Sequence, residues 1–204
     1  MTPLAPVTLR GAAVVLQPLT AGHAPALWRV AQDPELWRWT LSQVCSPADL
    51  DAYIEAALGA QAAGTALPFA LRVGGQVAGS TRLANADVPN GRIEIGWTFI
   101  GQPWQRTVVN TEAKLLLMRH AFETLGARRV EFKTDALNVR SRAAIARLGA
   151  TEEGTLRQHM VTASGRVRDT VYFSVLASEW PAVQTRLTER LDRLPAAPDA
   201  TSTA

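Results

Sequence analysis

One strand–helix–strand unit in the middle of the chain does most to limit its fold. Arg92–Ile100 (RIEIGWTFI) predicts a strand, Asn110–Leu125 a helix with a wide apolar stripe, and Arg129–Thr134 a second strand. Gly126 follows the helix at a position typical of a helix end. Two strands joined through one helix run parallel with a right-handed crossover. The sheet is therefore expected to contain a parallel pair at its centre.

Hairpins are predicted on both sides of this unit. Val7–Leu19 predicts an opening strand or hairpin that turns at its Gly-Ala step. A two-residue Gly-Gly connection, a strong hairpin signal, joins Leu67–Val73 to Gln76–Leu83. Thr151–Val161 and Arg168–Leu176 predict a closing hairpin. Most neighbouring strands are thus expected to be antiparallel.

Four further helices are predicted from the spacing of apolar residues and from helix-start signals. They are Ala21–Gln32, Pro47–Ala63 with Ser46 as its N-cap, Val139–Leu148 and Glu179–Leu194. Strands and helices in this order predict an α/β fold. Its central sheet should be mixed and mostly antiparallel, with helices on both faces.

The length and composition favour a single domain. With 204 residues, 47 % of them hydrophobic and 19 % charged, residues 1–194 are expected to form one domain and residues 195–204 a disordered tail. The single cysteine, Cys45, and three scattered histidines show no metal-ligand spacing, so no metal is expected. Neither a signal peptide nor a membrane span is predicted, which indicates a cytoplasmic protein without a membrane partner. A net charge of +3 suits an anionic ligand, but it is too small to indicate nucleic acid.

The connection from the central strand into its helix is a candidate anion site. A helix directed at a loop presents free N–H groups and the positive end of its dipole, which can hold a phosphate. Arg106 adds a positive charge there, and Asn110 can cap the helix or donate to a phosphate. Many helices that bind nothing begin in the same way.

A second motif is more specific. Asp135-x-x-Asn138-x-x-Ser141-Arg142 is followed at fixed spacing by Leu148-Gly149-Ala150 and by Glu153-Gly154. Together with WQRTVVNTEAK this pattern resembles the GNAT acetyltransferase superfamily, and within it the RimJ/RimL-like branch, which includes enzymes that acetylate protein N-termini. The resemblance implies acetyl-CoA as cosubstrate and a primary amine as acceptor, either a protein N-terminus or a small molecule. A homodimer through the last hairpin or the C-terminal helix is left open.

The resemblance also implies which residues hold the cofactor. A bulge near Gly96 should part the central strand from its neighbour, so that the strand backbone pairs with the pantetheine arm. The loop and helix start should hold the pyrophosphate, and two positions of the next helix should assist. These residues are Trp97, Thr98, Phe99, Gln105, Arg106, Thr107, Val108, Val109, Asn110, Thr111, Asn138, Ser141 and Arg142; Arg142 could instead be a solvated helix residue.

The phosphate loop departs from the family pattern because it contains no glycine. Glycine lets a backbone approach phosphate closely and adopt positive φ, whereas Val108 is bulky. If a helix begins at the end of the loop, its N–H groups can still point at the anion. The alternative function is a catalytically weakened acyl-CoA-binding or interaction module on the same fold.

Candidate catalytic residues follow from the needs of acetyl transfer to an amine. Glu94 is a candidate general base, or else a cross-strand partner for an arginine such as Arg82. Ser141 is a candidate proton relay to the leaving thiolate, because the tyrosine that many superfamily members use is missing from this helix. Trp37 and Trp39, beside acidic residues, are candidates for binding the acceptor; they could equally seal the helices onto the sheet.

Overall fold

The computed structural model describes residues 1–198, and one eight-stranded sheet organises them. The strands are β1 (Leu9–Arg10), β2 (Val14–Pro18), β3 (Leu67–Val73), β4 (Gln76–Asp87), β5 (Arg92–Ile100), β6 (Arg129–Asp135), β7 (Thr151–Val161) and β8 (Val167–Leu176). They lie side by side in the order β1-β2-β3-β4-β5-β6-β8-β7. Only the pair β5–β6 is parallel, and every other pair of neighbours is antiparallel. The prediction of a mixed, mostly antiparallel sheet is confirmed.

Helices cover both faces of the sheet. They are α1 (Ala24–Ala31), α2 (Pro47–Ala62), α3 (Val108–Arg119), α4 (Val139–Arg147) and α5 (Trp180–Leu191). One buried cluster contains residues of α1 and α2, including Leu27 and Ile54. The larger cluster lies under α3, α4 and α5 and includes Leu117, Ile145 and Leu187. The apolar periodicity of the helices therefore produces two cores, with the sheet between them.

A buried carboxylate joins α3 to the edge of the sheet. The Glu112 side chain accepts hydrogen bonds from the backbone N–H groups of Ala12, Ala13 and Val14 at 2.7, 2.9 and 2.6 Å. A Cβ atom added at Gly11 would lie 2.5 Å from Glu112 Cδ, so only glycine fits in this turn. The contact fixes where α3 begins relative to the strands.

The observed bounds differ from the predicted ones mainly around α3. The helix begins at Val108, two residues before the predicted start, because Thr107 and not Asn110 caps it: the Thr107 hydroxyl accepts from Val109 N–H at 3.3 Å. Its last predicted turn, His120–Thr124, is a π-helical turn. Ser46 caps α2 as predicted.

The C-terminal segment is described only in part. Within it, the Pro195 carbonyl accepts a hydrogen bond from Val108 N–H at 3.0 Å, and Ala197 packs against the larger core. The rest of the predicted tail, residues 199–204, lies outside the described residues, and the division into domain and tail stays a prediction. A search of residues 1–198 finds no helix with the length and apolar character that crossing a membrane requires.

Candidate active site

The site lies where β5 parts from β6. The two strands pair only between Arg92–Glu94 and Arg129–Glu131, although both continue further. Just beyond this point the register of β5 against β4 shifts between Gly96 and Phe99, and Trp97 has a φ of 50°. The bulge predicted near Gly96 is therefore present. We call the opening that follows it the β5–β6 gap.

A cavity of about 590 Å³ occupies this gap and is reached by residues from both faces of the sheet. From the α3–α4 face it is lined by Asn110, Lys114, Asn138, Ser141, Ala144 and Ile145. From the α1–α2 face it is lined by Trp37, Trp39, Tyr53, Asn85, Glu94, Lys133, His159, Arg168, Thr170 and Tyr172. A ligand on one face can thus meet a ligand on the other through the sheet.

The start of α3 presents backbone donors, as expected for a phosphate site. Arg106 has a φ of 62°, so it adopts the conformation for which glycine is usual and turns the loop into the helix. Among residues 1–198, the N–H groups of Arg106 and Thr107 have no hydrogen-bond partner. Val108 N–H is already bonded to Pro195. The C-terminal segment therefore occupies one of the donors that were expected to hold pyrophosphate.

The other residues of this loop and helix start that were predicted to bind the cofactor lie in different environments. Gln105 links elements: it donates to the Ile100 carbonyl at 2.8 Å and accepts from Arg140 at 2.9 Å. Val109 is fully buried in the core and Thr111 is 7 % exposed, so their side chains are packed inside the protein. Asn110 lines the cavity from the first turn of α3.

The α4 motif has a structural role in addition to its position at the cavity. Asn138 caps the helix, because its side-chain oxygen accepts from Ser141 N–H at 3.0 Å. Both residues also line the cavity. Arg142 is not simply solvated, since it donates to the Ala136 carbonyl at 3.4 Å and pairs with Glu152 at 3.2 Å.

Lys114 is a site residue that the sequence interpretation missed. Its side chain is 6 % exposed, lines the cavity, and donates to the hydroxyl of Thr98 at 2.6 Å. No carboxylate lies within 4.0 Å of it in the described chain, and burial lowers the pKa of Lys114 to about 7. A lysine on the sheet-facing side of α3, four residues after Asn110, was the available signal.

Glu94 lines the cavity and is not paired with Arg82. It accepts hydrogen bonds from Lys133 at 2.7 Å and from Asn85 at 2.8 Å. Burial alone would lower the pKa of Lys133, but Glu94, together with Tyr172 and Glu131, outweighs this and the net shift is upward. Arg82 instead donates to the Tyr53 carbonyl at 3.1 Å.

The two predicted acceptor-side tryptophans differ in environment. Trp37 is 7 % exposed, donates from its ring N–H to the Ala31 carbonyl at 2.7 Å, and packs on Phe99. Trp39 is more exposed, and two arginine side chains, Arg38 and Arg166, lie over its ring at 4.9 and 5.4 Å. Trp37 therefore packs in the core on the α1–α2 face. Trp39 is partly exposed, and its ring already contacts two arginine side chains.

The backbone of β5 remains available to a ligand beyond Glu94. The Trp97 carbonyl accepts from the Tyr53 hydroxyl at 3.0 Å, and the Thr98 hydroxyl contacts both Lys114 and Thr81. Within the β5–β6 gap, the edge of β5 that would face β6 has no strand partner in the described chain. Among residues 1–198 there is also no cluster of three His, Cys, Asp or Glu side chains that could hold a metal ion.

Comparison with protein families identifies a match that covers most of the cavity-lining elements. Residues 13–151 match the model of the acetyltransferase (GNAT) domain. The matched region includes β5, α3, β6 and α4, and hence the bulge, the loop and the Asn138 motif.

Comparison with individual proteins also identifies acetyltransferases. A Bacillus subtilis (strain 168) protein named "Putative ribosomal N-acetyltransferase YdaF" is 35 % identical over 106 residues, which are 52 % of this chain and 57 % of that protein. A GCN5-related N-acetyltransferase from Brucella melitensis is 34 % identical with a TM-score of 0.85, over 94 % of this chain and 89 % of that one. Mycobacterium smegmatis RimJ, solved in complex with CoA-disulfide, has a TM-score of 0.79 at 23 % identity over 95 % and 97 % of the two chains and shows the shared fold.

Proposed function

The chain belongs to the GNAT family of acetyltransferase domains, and from this premise we propose that it transfers the acetyl group of acetyl-CoA to a primary amine by direct attack in a ternary complex. The observation that carries the proposal is the cavity in the β5–β6 gap, which brings a buried carboxylate on one face of the sheet into the same space as α3 and α4 on the other. An acetyl donor and an amine acceptor can meet there without a covalent enzyme intermediate.

The residues present fit the cofactor. The unpaired edge of β5 from Trp97 to Phe99 can pair with the pantetheine amides as an added strand would. The free N–H groups of Arg106 and Thr107, with the positive end of α3, can hold the pyrophosphate. RimJ, which has the same fold, was solved with a CoA disulfide. When bound, acetyl-CoA supplies an acetyl thioester, whose acetyl group passes to the amine while the amine loses a proton and the thiolate gains one.

Glu94 is the proposed acceptor of the amine proton. Its carboxylate is 6 % exposed, and its bonds to Lys133 and Asn85 hold it in the cavity. Because Lys133 stabilises the carboxylate, proton transfer through a water molecule is as consistent with the geometry as direct transfer.

Two side chains on the opposite face are candidates to protonate the thiolate. Ser141 lines the cavity and is the candidate proposed from sequence. Lys114 is the second candidate, since its buried ammonium also lines the cavity and titrates near neutral pH. A lysine that loses its proton near pH 7 can act as a proton donor at that pH, whereas a serine hydroxyl serves better as a relay.

The acceptor is proposed to be a protein N-terminus or a small molecule with a primary amine. The name of YdaF, a putative ribosomal N-acetyltransferase, supports an amino group of a ribosomal protein, such as its N-terminus, as the first acceptor to test. The glycine-free loop and the bond from Val108 to Pro195 support the alternative, a module that binds acyl-CoA with weak catalysis or none.

Calorimetric titration with acetyl-CoA, followed by thiol release with a panel of N-terminal peptides and small amines, tests these functions. Binding together with thiol release that depends on an amine supports acetyl transfer. Binding without turnover on any amine supports the module, and no binding at all contradicts both.

A further inference from the structure

Arg168 is a buried cation without a partner in the same cavity. It lies in β8, is 6 % exposed, and lines the cavity from the α1–α2 face. Among residues 1–198 no carboxylate lies within 4.0 Å of it and no hydrogen bond is made to its guanidinium, whose Nε is buried. Burial of a cation without such compensation is strongly unfavourable in proteins.

A neighbouring hydroxyl is also unsatisfied. Thr170 lies two residues after Arg168 and therefore on the same face of β8, and it too lines the cavity. The residue is 1 % exposed and its Oγ1 has no hydrogen-bond partner in the described chain. Two adjacent buried polar groups without protein partners leave hydrogen-bonding capacity that a bound molecule can fill.

The carboxylates around Arg168 are already engaged. Asp135 and Glu94 both act on Arg168 electrostatically, but burial dominates and lowers the pKa of the guanidinium. Asp135 pairs with Arg166 and accepts from Leu137 N–H, and Glu94 pairs with Lys133. Neither is free to neutralise Arg168.

The charge of the cavity lining also favours a negatively charged ligand. Its ionisable lining in the described chain comprises one carboxylate, Glu94, and three basic side chains, Lys114, Lys133 and Arg168, together with His159, Tyr53 and Tyr172. Glu94 is neutralised by Lys133 at 2.7 Å. The remaining positive charge disfavours a polycationic acceptor such as a polyamine and favours one that carries a negative group.

We propose that Arg168 and Thr170 form a subsite for a carboxylate that the acceptor carries close to its acetylated amine. The guanidinium would donate a charge-assisted pair of hydrogen bonds to the carboxylate, and the Thr170 hydroxyl a third. This inference rests on the proposed acetyl transfer, because it names a property of the acceptor. The carboxylate can come from a free amino acid or from an acidic side chain near the N-terminus of a polypeptide.

Matched acceptor pairs test the subsite. Serine is compared with serine amide, and the peptide Ser-Glu-Phe-amide with Ser-Gln-Phe-amide, so that each pair differs in the negative charge and the two pairs separate the two sources. Because loss of a neighbouring carboxylate also lowers the pKa of the amine, kcat/KM is calculated from the concentration of neutral amine. We expect the carboxylate member of at least one pair to have a kcat/KM about 10- to 100-fold higher, the range expected for hydrogen bonds between charged groups. Arg168→Gln should reduce this ratio to about one, whatever its effect on the kcat/KM of the amide member.

Two further variants complete the test. Arg119→Gln removes an exposed arginine at the far end of α3 and should leave the ratio unchanged. Thr170→Val should lower the ratio by a smaller factor than Arg168→Gln. Equal activity on both members of each pair, or a preference that survives Arg168→Gln, would overturn the subsite while leaving acetyl transfer intact.

Binding measurements distinguish an error in the proposed subsite from an error in the proposed acetyl transfer. Each acceptor is titrated calorimetrically into the protein saturated with CoA, where no acetyl group is available. Binding of the carboxylate member that is lost in Arg168→Gln supports the subsite even if no acceptor is acetylated. If neither carboxylate member binds to the wild-type protein more tightly than its amide, the inference is wrong.

Discussion

Lys133 donates a hydrogen bond of 2.7 Å to the carboxylate of Glu94 across the β5–β6 gap. The bond runs from Lys133, two residues beyond the last paired residue of β6, to Glu94, the last residue of β5 that pairs with β6. The bond fixes the position of Glu94, where an acceptor amine is proposed to bind.

Replacing Glu94 by Gln should lower turnover far more than cofactor affinity. Glutamine keeps the size of the side chain but cannot take up a proton, so we expect kcat to fall about 100-fold, within the usual range for general bases. The Kd for CoA should change by less than about threefold, because Glu94 lies on the acceptor face. Steady-state kinetics and calorimetry measure the two quantities. Glu189→Gln, on the exposed face of α5, is the control, and full activity of Glu94→Gln across pH would refute the assignment.

Replacing Lys114 by Met should stabilise the fold, and the gain should shrink as the pH rises. Burial disfavours the charged amine, so the native lysine releases its proton near pH 7, whereas the unfolded chain keeps it up to about 10.5. Between these pH values unfolding takes up a proton, so the stability of the wild type rises with pH.

The advantage of Lys114→Met in the free energy of unfolding should therefore fall by up to about 1.4 kcal/mol per pH unit over this range. Urea unfolding at about pH 7.5 and about pH 9.5 measures it. The same variant should reduce kcat if Lys114 protonates the thiolate, and Ser141→Ala provides the comparison. An advantage that does not change with pH would show that the native lysine remains charged.

Replacing Asn138 should affect both the affinity for CoA and the stability of the fold, and two variants distinguish these effects. Asn138→Ala removes the cap of α4, for which we expect a loss of about 1 kcal/mol in stability, and should also weaken CoA binding. Asn138→Asp retains an oxygen that can cap the helix, but it loses the side-chain amide and adds a negative charge near the phosphates. Calorimetry should show weakened binding for both variants, with normal thermal stability only for Asn138→Asp. Normal CoA affinity in Asn138→Asp would mean that Asn138 acts only as a cap.

The C-terminal segment should compete with the cofactor. Val108 N–H lies at the start of α3, where the pyrophosphate is proposed to bind, yet it donates to the Pro195 carbonyl at 3.0 Å. Removing residues 195–204 should free this donor and tighten CoA binding by roughly 3- to 10-fold, about the value of one hydrogen bond. An unchanged or weaker affinity, measured by calorimetry, would show that the segment supports the site instead of blocking part of it.

Gly11 should be required by the packing of Glu112. A methyl group at this position would lie 2.5 Å from Glu112 Cδ, so Gly11→Ala must displace a carboxylate that holds three backbone N–H groups. We expect a loss of about 2–3 kcal/mol in the free energy of unfolding. Gly59→Ala is the matched control: its position in α2 is open, and alanine should stabilise the helix by about 0.5–1 kcal/mol. Equal thermal stability of both variants would contradict this role of Glu112.

The sheet and its helices could largely be predicted from local patterns. Alternation, the Gly-Gly hairpin and the apolar stripe of α3 give the elements, and the strand–helix–strand order gives the parallel pair. The bulge near Gly96 was also predicted, because the resemblance to the family placed a gap there.

The partners of the site residues could not be predicted, since they depend on contacts between distant segments. Glu94 meets Lys133 only because β5 and β6 lie in parallel register, and the sequence suggested Arg82 instead. The bond from Val108 to Pro195 joins residues that are far apart in the chain. Arg168 was missed because nothing local marks a charged residue that will be buried without a partner, whereas the position of Lys114 on the sheet-facing side of α3 could have revealed it.

The most direct test of the proposed function is a product analysis with acetyl-CoA and a peptide that has a free N-terminal amine. Mass spectrometry of the peptide and a thiol assay on the same sample compare acetylated amine with released CoA. We predict one acetylated amine for each thiol released, with both lost together in Glu94→Gln. Tight binding of acetyl-CoA with no acetylated amine, on peptides or on small amines, would contradict acetyl transfer and leave a binding module.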